Sequence, residues 1–417
     1  MEGGALVTHV MESVPVLRGR TDAEAHVGVV CFKQGPPALI GAELEWLLAH
    51  TDDRTTRPTL TEIATALGDY APRSIAPCAQ ARTLSGGSTV TVEPGGQVEL
   101  SSAPCPDAHS LCVALSADAG RLAELLEAAG LQLRDGATDD VRAAHRQLLL
   151  PRYAAMEAAF DRVGPYGRLM MCNTAAVQVN VDAGRAGVEM SSRWALLHEA
   201  GPALVAAFAC SPQLHGAPAG QWASQRMRTW LELDPARTQP PRVDTQDPVN
   251  AYARWALDVP LLCVQRSDDT WTAPPGASFA DWVEGRLDGV VGRAPTTADL
   301  DYHLSTLFPP VRANGYFEVR YLDAQPRTAW RIPIAAFEGL LRDQSTVEDA
   351  RGLAALTKGR WRAAARLGLA DDDLRAAGTA LLTLAATRLA DPALAELVSA
   401  AADRVNRGQT PTEEECS

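Results

Sequence analysis

The 417-residue chain carries 38 Lys and Arg against 51 Asp and Glu, a net charge of −13, with 46% hydrophobic residues. That apolar content supports a sizeable core, and the acidic excess excludes a nucleic-acid partner, which would need clustered Lys and Arg. Met1–Arg20 lacks a basic segment followed by an apolar run, and no later stretch reaches the roughly 18 uncharged apolar residues that span a bilayer, so a cytoplasmic protein without membrane attachment is expected.

Two apolar runs, Ala25–Phe32 and Pro37–Leu48, flank a turn at Gln34-Gly35-Pro36-Pro37. Between Thr89 and Ser101 the text TVTVEPGGQVELS alternates on either side of Pro94-Gly95-Gly96, which predicts two short strands around a tight turn. Leu111–Leu115 (LCVAL) reads as a strand, Ala117–Ala129 as a helix and Leu131–Arg134 as a second strand, together one β-α-β unit. Asp139-Asp140 caps an expected helix through about Leu150, broken at Pro151 before a further amphipathic run to Val163. Gly164-Pro165-Tyr166-Gly167 ends that run, and a strand is expected to follow through Asp182. Residues 191–208 read as an apolar helix interrupted at Gly201-Pro202, Ser211–Gly220 as a loop, and the next segment as a helix up to Trp230. Pro235–Pro248 is loop-like, and Gly315 introduces a strand through Leu322. From Thr346 onward Ala and Leu dominate, and Asp391-Pro392 opens a capped helix ending at Gly408. These shifts divide the chain into a main domain over residues 1–345, a helical extension over 346–408 packed on it, and a flexible tail over 409–417.

The chemistry is carried by strand faces. Side chains alternate across a strand, so residues of one parity share a face. Glu43 and Glu45 share a face, with Leu44 on the other; Glu93 precedes the turn, while Gln97 and Glu99 follow it, opposite Val98 and Leu100. Gln178, Asn180 and Asp182 alternate with Val177, Val179 and Val181, and Glu318 and Arg320 lie opposite Phe317, Val319 and Tyr321. Any one such strand also fits an ordinary half-solvated edge. Four together point to an antiparallel sheet with one side packed on helices and a polar working side. Clustered carboxylates need protons or cations between them, and oxygen ligands favour magnesium or manganese over zinc. The eight cysteines form no CxxC pair and no Cys/His cluster, and read as reduced, structural thiols. There is no GxxxxGK[ST], no GxGxxG after a strand, no HExxH and no GxSxG, so a nucleotide here would be held through metals and isolated cationic side chains.

The segments IGAELEWL (Ile40–Leu47), VTVEPGGQVELSSAP (Val90–Pro104), TAAVQVNVDAG (Thr174–Gly184), GPALVAAFACSP (Gly201–Pro212), SQRMRTW (Ser224–Trp230), YARWALDVPLL (Tyr252–Leu262) and HLSTLFPPVRANGYFEVRYLDA (His303–Ala324) occur in family order. In them the chain resembles the glutamate–cysteine ligase family, in the branch shared by plant enzymes and by actinobacterial ones that serve ergothioneine synthesis. EPGGQxELS and HLSTLFPxVR are the specific motifs. The resemblance implies an α+β fold of the glutamine-synthetase type, an antiparallel sheet curled into a funnel with helices outside and a helical C-terminal annex. It implies ATP-dependent joining of the γ-carboxylate of L-glutamate to the amine of L-cysteine through a γ-glutamyl phosphate, with ATP and Mg2+ (or Mn2+) on the polar face. Carried over residue by residue, Glu43, Glu45, Glu93, Glu99 and Glu318 match metal-binding carboxylates, with Gln178 at a neighbouring metal position. Arg226 and Trp230, with Asn180, match substrate-binding positions. Arg320 and Glu318 match catalytic positions, and Arg320, His303 and Arg312 nucleotide-binding ones. Two departures stand out: Leu44 replaces a histidine of the plant-type relatives, and Asn173 replaces an arginine. Another ATP-dependent carboxylate–amine ligase, or a non-catalytic relative binding amino acid or metal, shares the same residues; the intact glutamates and arginines speak against the latter. Cys172, close to the site in sequence, reads as structural because the chemistry needs no protein nucleophile.

Overall fold

The computed structural model describes residues 15–267 and 270–412. Most of the expected tail, from residue 413 on, and the first 14 residues of the opening segment lie outside that range. Among the described residues no helix is long and apolar enough to cross a membrane.

The strands are β1 (Ile40–His50), β2 (Thr89–Val92), β3 (Val98–Ser101), β4 (Leu131–Arg134), β5 (Ala176–Val181), β6 (Val311–Ala313) and β7 (Phe317–Asp323). They pair antiparallel in the order β2-β3-β1-β5-β7-β6, with β4 added to the far half of β1. β1 shows why the sheet has two characters: Ala42, Leu44, Trp46 and Leu48 enter the core, whereas Glu43 and Glu45 face the other side. The apolar faces of β3, β5 and β7 share that core with side chains of helices Ala108–Glu127, Gly201–Phe208 and Arg331–Leu340. Beyond Glu45 the polar face ends at Leu47, which packs with Ala137, Ala175 and Ala324 in a separate small apolar cluster.

Register lines the polar residues into rows. Glu45 sits opposite Glu99 and Glu99 opposite Thr91; Glu43 lies between Ser101 and Gln178; Glu318 lies between Asn180 and Arg312. β7 interrupts its own alternation, because Val179 pairs with Val319 but Val177 with Leu322, so Arg320 and Tyr321 together oppose Gln178. Such a bulge kinks a strand and re-aims a side chain. Tyr321 and Leu322 are both buried in the core as a result, while Arg320 keeps the polar side that it shares with Glu318. The β2–β3 turn is a three-residue loop in which Gly96 N donates to Glu93 O and Glu93 N to Gln97 O, each at 2.8 Å, with Gly96 left-handed at φ +88. Gly95 is required for a different reason: a Cβ there would lie 2.4 Å from the carbonyl oxygen of Cys172.

Three expectations are corrected. Leu111–Leu115 belongs to the helix Ala108–Glu127, capped by Asp107 accepting from Ser110 N, so there is no β-α-β unit and β4 simply joins β1. Leu111, Leu115, Leu122 and Leu126 recur at helical spacing and are all buried; a five-residue apolar run cannot by itself distinguish the two periods. Residues 141–150 are irregular rather than helical, because the Asp139 carboxylate turns inward, accepting from Val141 N and Arg142 N and pairing with Arg134 and Arg142. The segment after Gly164 is first a helix, Tyr166–Asn173, and only then strand β5.

Helix Gln344–Ala354 crosses the expected boundary at 345, and the core continues without a break into Leu374, Leu381, Val398 and Val405 of the C-terminal helices. Two glycines make the join close: a Cβ on Gly201 would meet the Trp361 indole at 2.0 Å, and one on Gly339 would meet Ala385 O at 2.4 Å. Gly201→Ala should therefore displace the Trp361 ring and cost about 2 kcal/mol, lowering the melting temperature while leaving substrate KM values unchanged; a melting temperature equal to wild type would show that the C-terminal helices are loosely held.

Candidate active site

The hairpin bearing Glu93 and Glu99 is anchored from outside the sheet. Arg57 donates through Nη1 to Gly95 O (3.0 Å) and Cys172 O (3.2 Å), and through Nη2 to Asn173 Oδ1 (2.8 Å). Gln97 Nε2 donates to Thr174 O at 2.9 Å. Asn173, one of the two departures from the plant pattern, thus serves to hold the turn. The other, Leu44, is buried in the core and faces away from the carboxylates.

The helix Gln225–Leu233 is set by Ser224, whose hydroxyl accepts from Met227 N. That serine and Ser211 both donate to the buried carboxylate of Asp323, at 2.8 and 2.7 Å, and Cys210 N donates to it at 2.9 Å. The end of β7 is thereby tied to the helix carrying Arg226 and Trp230. Arg226 stacks over the Trp230 ring at 4.6 Å and donates through Nη2 to Arg320 O at 2.8 Å. Neither Arg226 Nε nor Trp230 Nε1 has a partner, although both are buried.

These elements enclose a cavity of about 370 Å³ lined by Glu43, Glu45, Glu93, Glu99, Gln178, Arg226, Trp230, Arg312 and Arg320. Nine of the twelve site residues read from the sequence therefore meet there, and Glu318 lies directly behind Arg312 and Arg320. Glu318 accepts from Arg312 Nε (2.7 Å) and Nη2 (3.0 Å) and is paired with Arg320 Nη1. Asn180 lines a neighbouring cavity of about 320 Å³, with Gly41, Ser102 and Tyr316, that meets the first at Glu43. His303 is a correction. Its ring is buried against Phe279, with Nε2 bonded to Ala256 O at 2.8 Å, and it lines neither cavity. Burial pushes it down to about 4, so it is a neutral core residue. Arg152, Tyr153, Met156, Met170, Met171 and Phe308 also line the main cavity and carried no signal in the sequence beyond ordinary helical and apolar character.

Two electrostatic regimes coexist within this space. Burial, together with Glu318 and Glu99, pushes Glu43 up to about 8; burial and Glu93 do the same to Glu45, and burial, Glu93 and Glu45 to Glu99. Glu93 is raised by burial, with Arg320 and Arg152 opposing. Glu318 is also buried, which acts upward, but Arg312 and Arg320 together hold it below the usual carboxylate range. Among the described residues no three carboxylates converge closely enough to form a ready-made metal nest. Glu99 instead accepts from Thr91 and Ser101 hydroxyls at 2.8 and 3.0 Å, and Glu45 from Gln178 Nε2 at 2.9 Å. The Oε1 of Gln178 is left buried without a partner. Cys172 is fully buried and its thiol is pushed up to about 12, as a structural residue requires.

Comparison with known proteins finds likeness along most of the chain. The model for glutamate–cysteine ligase family 2 (GCS2) matches residues 39–414. The chain is 39% identical to the glutamate–cysteine ligase EgtA of Mycolicibacterium smegmatis over 381 residues, covering 90% of this chain and 86% of that protein. It is 37% identical to EgtA of Mycobacterium tuberculosis over 408 residues, covering 94% and 90%. The crystal structure of the glutamate–cysteine ligase of Francisella tularensis in complex with AMP matches with a TM-score of 0.54 at 15% identity, over 92% of this chain and 84% of that one, and so shares its fold. Since the family model spans sheet, cavity and C-terminal helices alike, the chain belongs to glutamate–cysteine ligase family 2.

Proposed function

We propose that this chain joins the γ-carboxylate of L-glutamate to the amine of L-cysteine at the expense of ATP, giving γ-glutamylcysteine in the service of ergothioneine synthesis. The observation that carries the reading is a face of four glutamates, Glu99 buried and Glu43, Glu45 and Glu93 half-buried, all raised toward neutrality, beside a buried arginine with no ion pair among the described residues. An oxygen of glutamate's γ-carboxylate attacks the γ-phosphorus of ATP and ADP leaves; the cysteine nitrogen then attacks the acyl carbon, phosphate leaves and the amine loses its proton. Both nucleophile and phosphate are anionic, so positive charge must be concentrated where they meet. Arg226, stacked on Trp230, supplies a fork for glutamate's α-carboxylate, and the unpartnered Trp230 Nε1 a further donor. Arg320, on the same face of β7 as Glu318, lines the cavity and faces the developing phosphoryl charge, with Arg312 beside it. The apolar surface and aromatic ring of the neighbouring cavity, from Ile40, Val181 and Tyr316, suit a purine base.

Glu43, Glu45, Glu93, Glu99 and the orphaned Oε1 of Gln178 form an all-oxygen donor set that fits magnesium or manganese, with Glu318 behind them. Bound there, such cations would neutralise phosphate charge and polarise the transferring group. Phosphate release from ATP in the presence of glutamate, measured amine by amine with mass analysis of the product, tests the whole reading; turnover with another amine but not with cysteine would overturn it.

Three outcomes follow from the charges. Carboxyls raised to about 8 keep protons in the folded state that the unfolded chain releases near pH 4.5, so they lower stability progressively as pH rises between those values, and no further above them. The metal-free protein should lose melting temperature from pH 5 to pH 8, and magnesium or manganese, by displacing protons, should restore it. Calorimetry at pH 7 in buffers of different ionisation heat should show protons released on metal binding; metal binding without proton release would sink the donor assignment. Glu318→Gln should lower turnover about a hundredfold, equivalent to about 3 kcal/mol. Since Arg312 and Arg320 would lose their shared counter-ion, this variant should also be less stable, contrary to the gain that simple relief of carboxylate repulsion predicts. Normal turnover and melting would remove Glu318 from the site. Arg226→Lys keeps charge but loses the planar fork, and should raise KM for glutamate at least about tenfold more than KM for ATP; equal changes in both would make Arg226 a general structural residue.

A further inference from the structure

Four arginines line the main cavity, Arg152, Arg226, Arg312 and Arg320. Arg312 and Arg320 share Glu318 as their counter-ion. Among the described residues neither Arg226 nor Arg152 makes an ion pair, yet both are held in fixed positions. Arg226 is the fork for glutamate; Arg152 has had no role. Its Nη1 donates to Ser305 Oγ and its Nη2 to Ser305 O, both at 2.8 Å, and its guanidinium lies over the Tyr302 ring at 5.2 Å. An arginine oriented by neutral partners at the wall of a cavity keeps its charge available for an anion.

The surroundings of Arg152 narrow what that anion belongs to. On its own helix, Pro151–Phe160, Met156 lines the cavity, and the adjoining helix Tyr166–Asn173 adds Met170 and Met171, all three buried. Thioether side chains make a soft, adaptable wall that suits a small polarizable group better than a charged or strongly hydrogen-bonding one. A cation next to such a wall matches an α-amino acid with a short sulfur-bearing side chain.

Resting on the ligase reading above, we propose that Arg152, with Met156, Met170 and Met171, forms the subsite for the acceptor amino acid, Arg152 binding its α-carboxylate and the methionines enclosing its –CH2–SH group. With those two groups held, the amine is the part left to reach the activated carboxyl of glutamate. Arg226 and Arg152 then each take one of the two α-carboxylates that the reaction brings together, and neither is consumed in binding phosphate.

The test compares L-cysteine with cysteamine, which has the amine and thiol but no carboxylate. Wild-type enzyme, Arg152→Gln and Arg152→Lys are assayed with each acceptor, and wild type also with hydroxylamine, which intercepts an acyl phosphate without needing an acceptor site. In wild type, kcat/KM should favour cysteine over cysteamine by about 10- to 100-fold, the range of a charge-assisted bidentate pair. Arg152→Gln should abolish that preference by raising KM for cysteine, with KM for glutamate moving less than about twofold; Arg152→Lys, which retains charge without the fork, should keep a reduced preference. A preference for cysteine that survives in Arg152→Gln, or KM values for glutamate and cysteine that rise together in both variants, overturns the subsite. Should wild type form neither the cysteine product nor a hydroxamate, the ligase reading itself falls, which is a separate result.

Discussion

Mutual repulsion among clustered, desolvated glutamates is the constraint around which this protein is organised. Glu43, Glu45 and Glu99 lie on neighbouring strands of one sheet with Glu93 at the start of the β2–β3 turn, and Glu45 stands directly across from Glu99. Nothing about such a cluster favours folding, since each carboxyl is desolvated and each raises its neighbours. It persists because the opposite face of the same strands buries Leu44, Val98, Leu100, Val179 and Val319 in one continuous core that reaches into the C-terminal helices. A fully buried side chain of this kind contributes about 1.5–3 kcal/mol, so the apolar face can offset the acidic one. The antiparallel pairing then fixes both faces at once, because a slip of one residue would exchange them.

Rigidity is added where the sheet alone would be weakest. The β2–β3 loop projects from the sheet, and a free hairpin would let Glu93 swing away from its like-charged neighbours. Arg57 and Gln97 prevent this by hydrogen bonding the turn to the backbone of the helix Tyr166–Asn173 and the residues following it. At the other side Asp323 does comparable service, collecting Ser211, Ser224 and Cys210 N around one buried carboxylate and so fixing the helix that bears Arg226. These are neutral or charge-assisted contacts to groups that cannot rearrange cheaply, which is what a preorganised site requires.

Strand alternation was readable directly: Glu43 and Glu45, Gln178 and Asn180, and Glu318 and Arg320 all stand on the face opposite their apolar neighbours, because a strand's period of two is written in the residues themselves. What could not be read depended on distant partners. Arg152 follows a proline at the start of an ordinary amphipathic helix, and its position is decided by Ser305, 153 residues away. The Arg57–Asn173 bond joins residues 116 apart. Asp139 looked like a helix cap and became the buried centre of an arginine cluster, because Arg134 and Arg142 offered its carboxylate more than a helix would. His303 lies within a family motif, but shared text places a segment rather than a side chain, and its ring found the core. The bulge in β7 is invisible in the sequence, yet it is what allows Tyr321 and Leu322, adjacent in the chain, both to be buried beyond Arg320.

The resulting electrostatics run against what the composition suggests. A chain with a net charge of −13 and a sheet face lined with glutamates looks suited to attract cations alone. Yet near neutral pH, with Glu43, Glu45 and Glu99 raised to about 8, those acids hold much of their negative charge in reserve, whereas the arginines around them remain charged. Glu318, by contrast, is held below the usual carboxylate range by Arg312 and Arg320 and contributes a firm negative charge. The resting cavity is therefore less negative than its acidic walls suggest, and this is the field that anionic amino acids and a nucleotide would meet on approach. Cations arriving with the nucleotide would find oxygen donors able to release protons in exchange, so that charge is supplied as it is needed and the like charges never have to be buried together uncompensated.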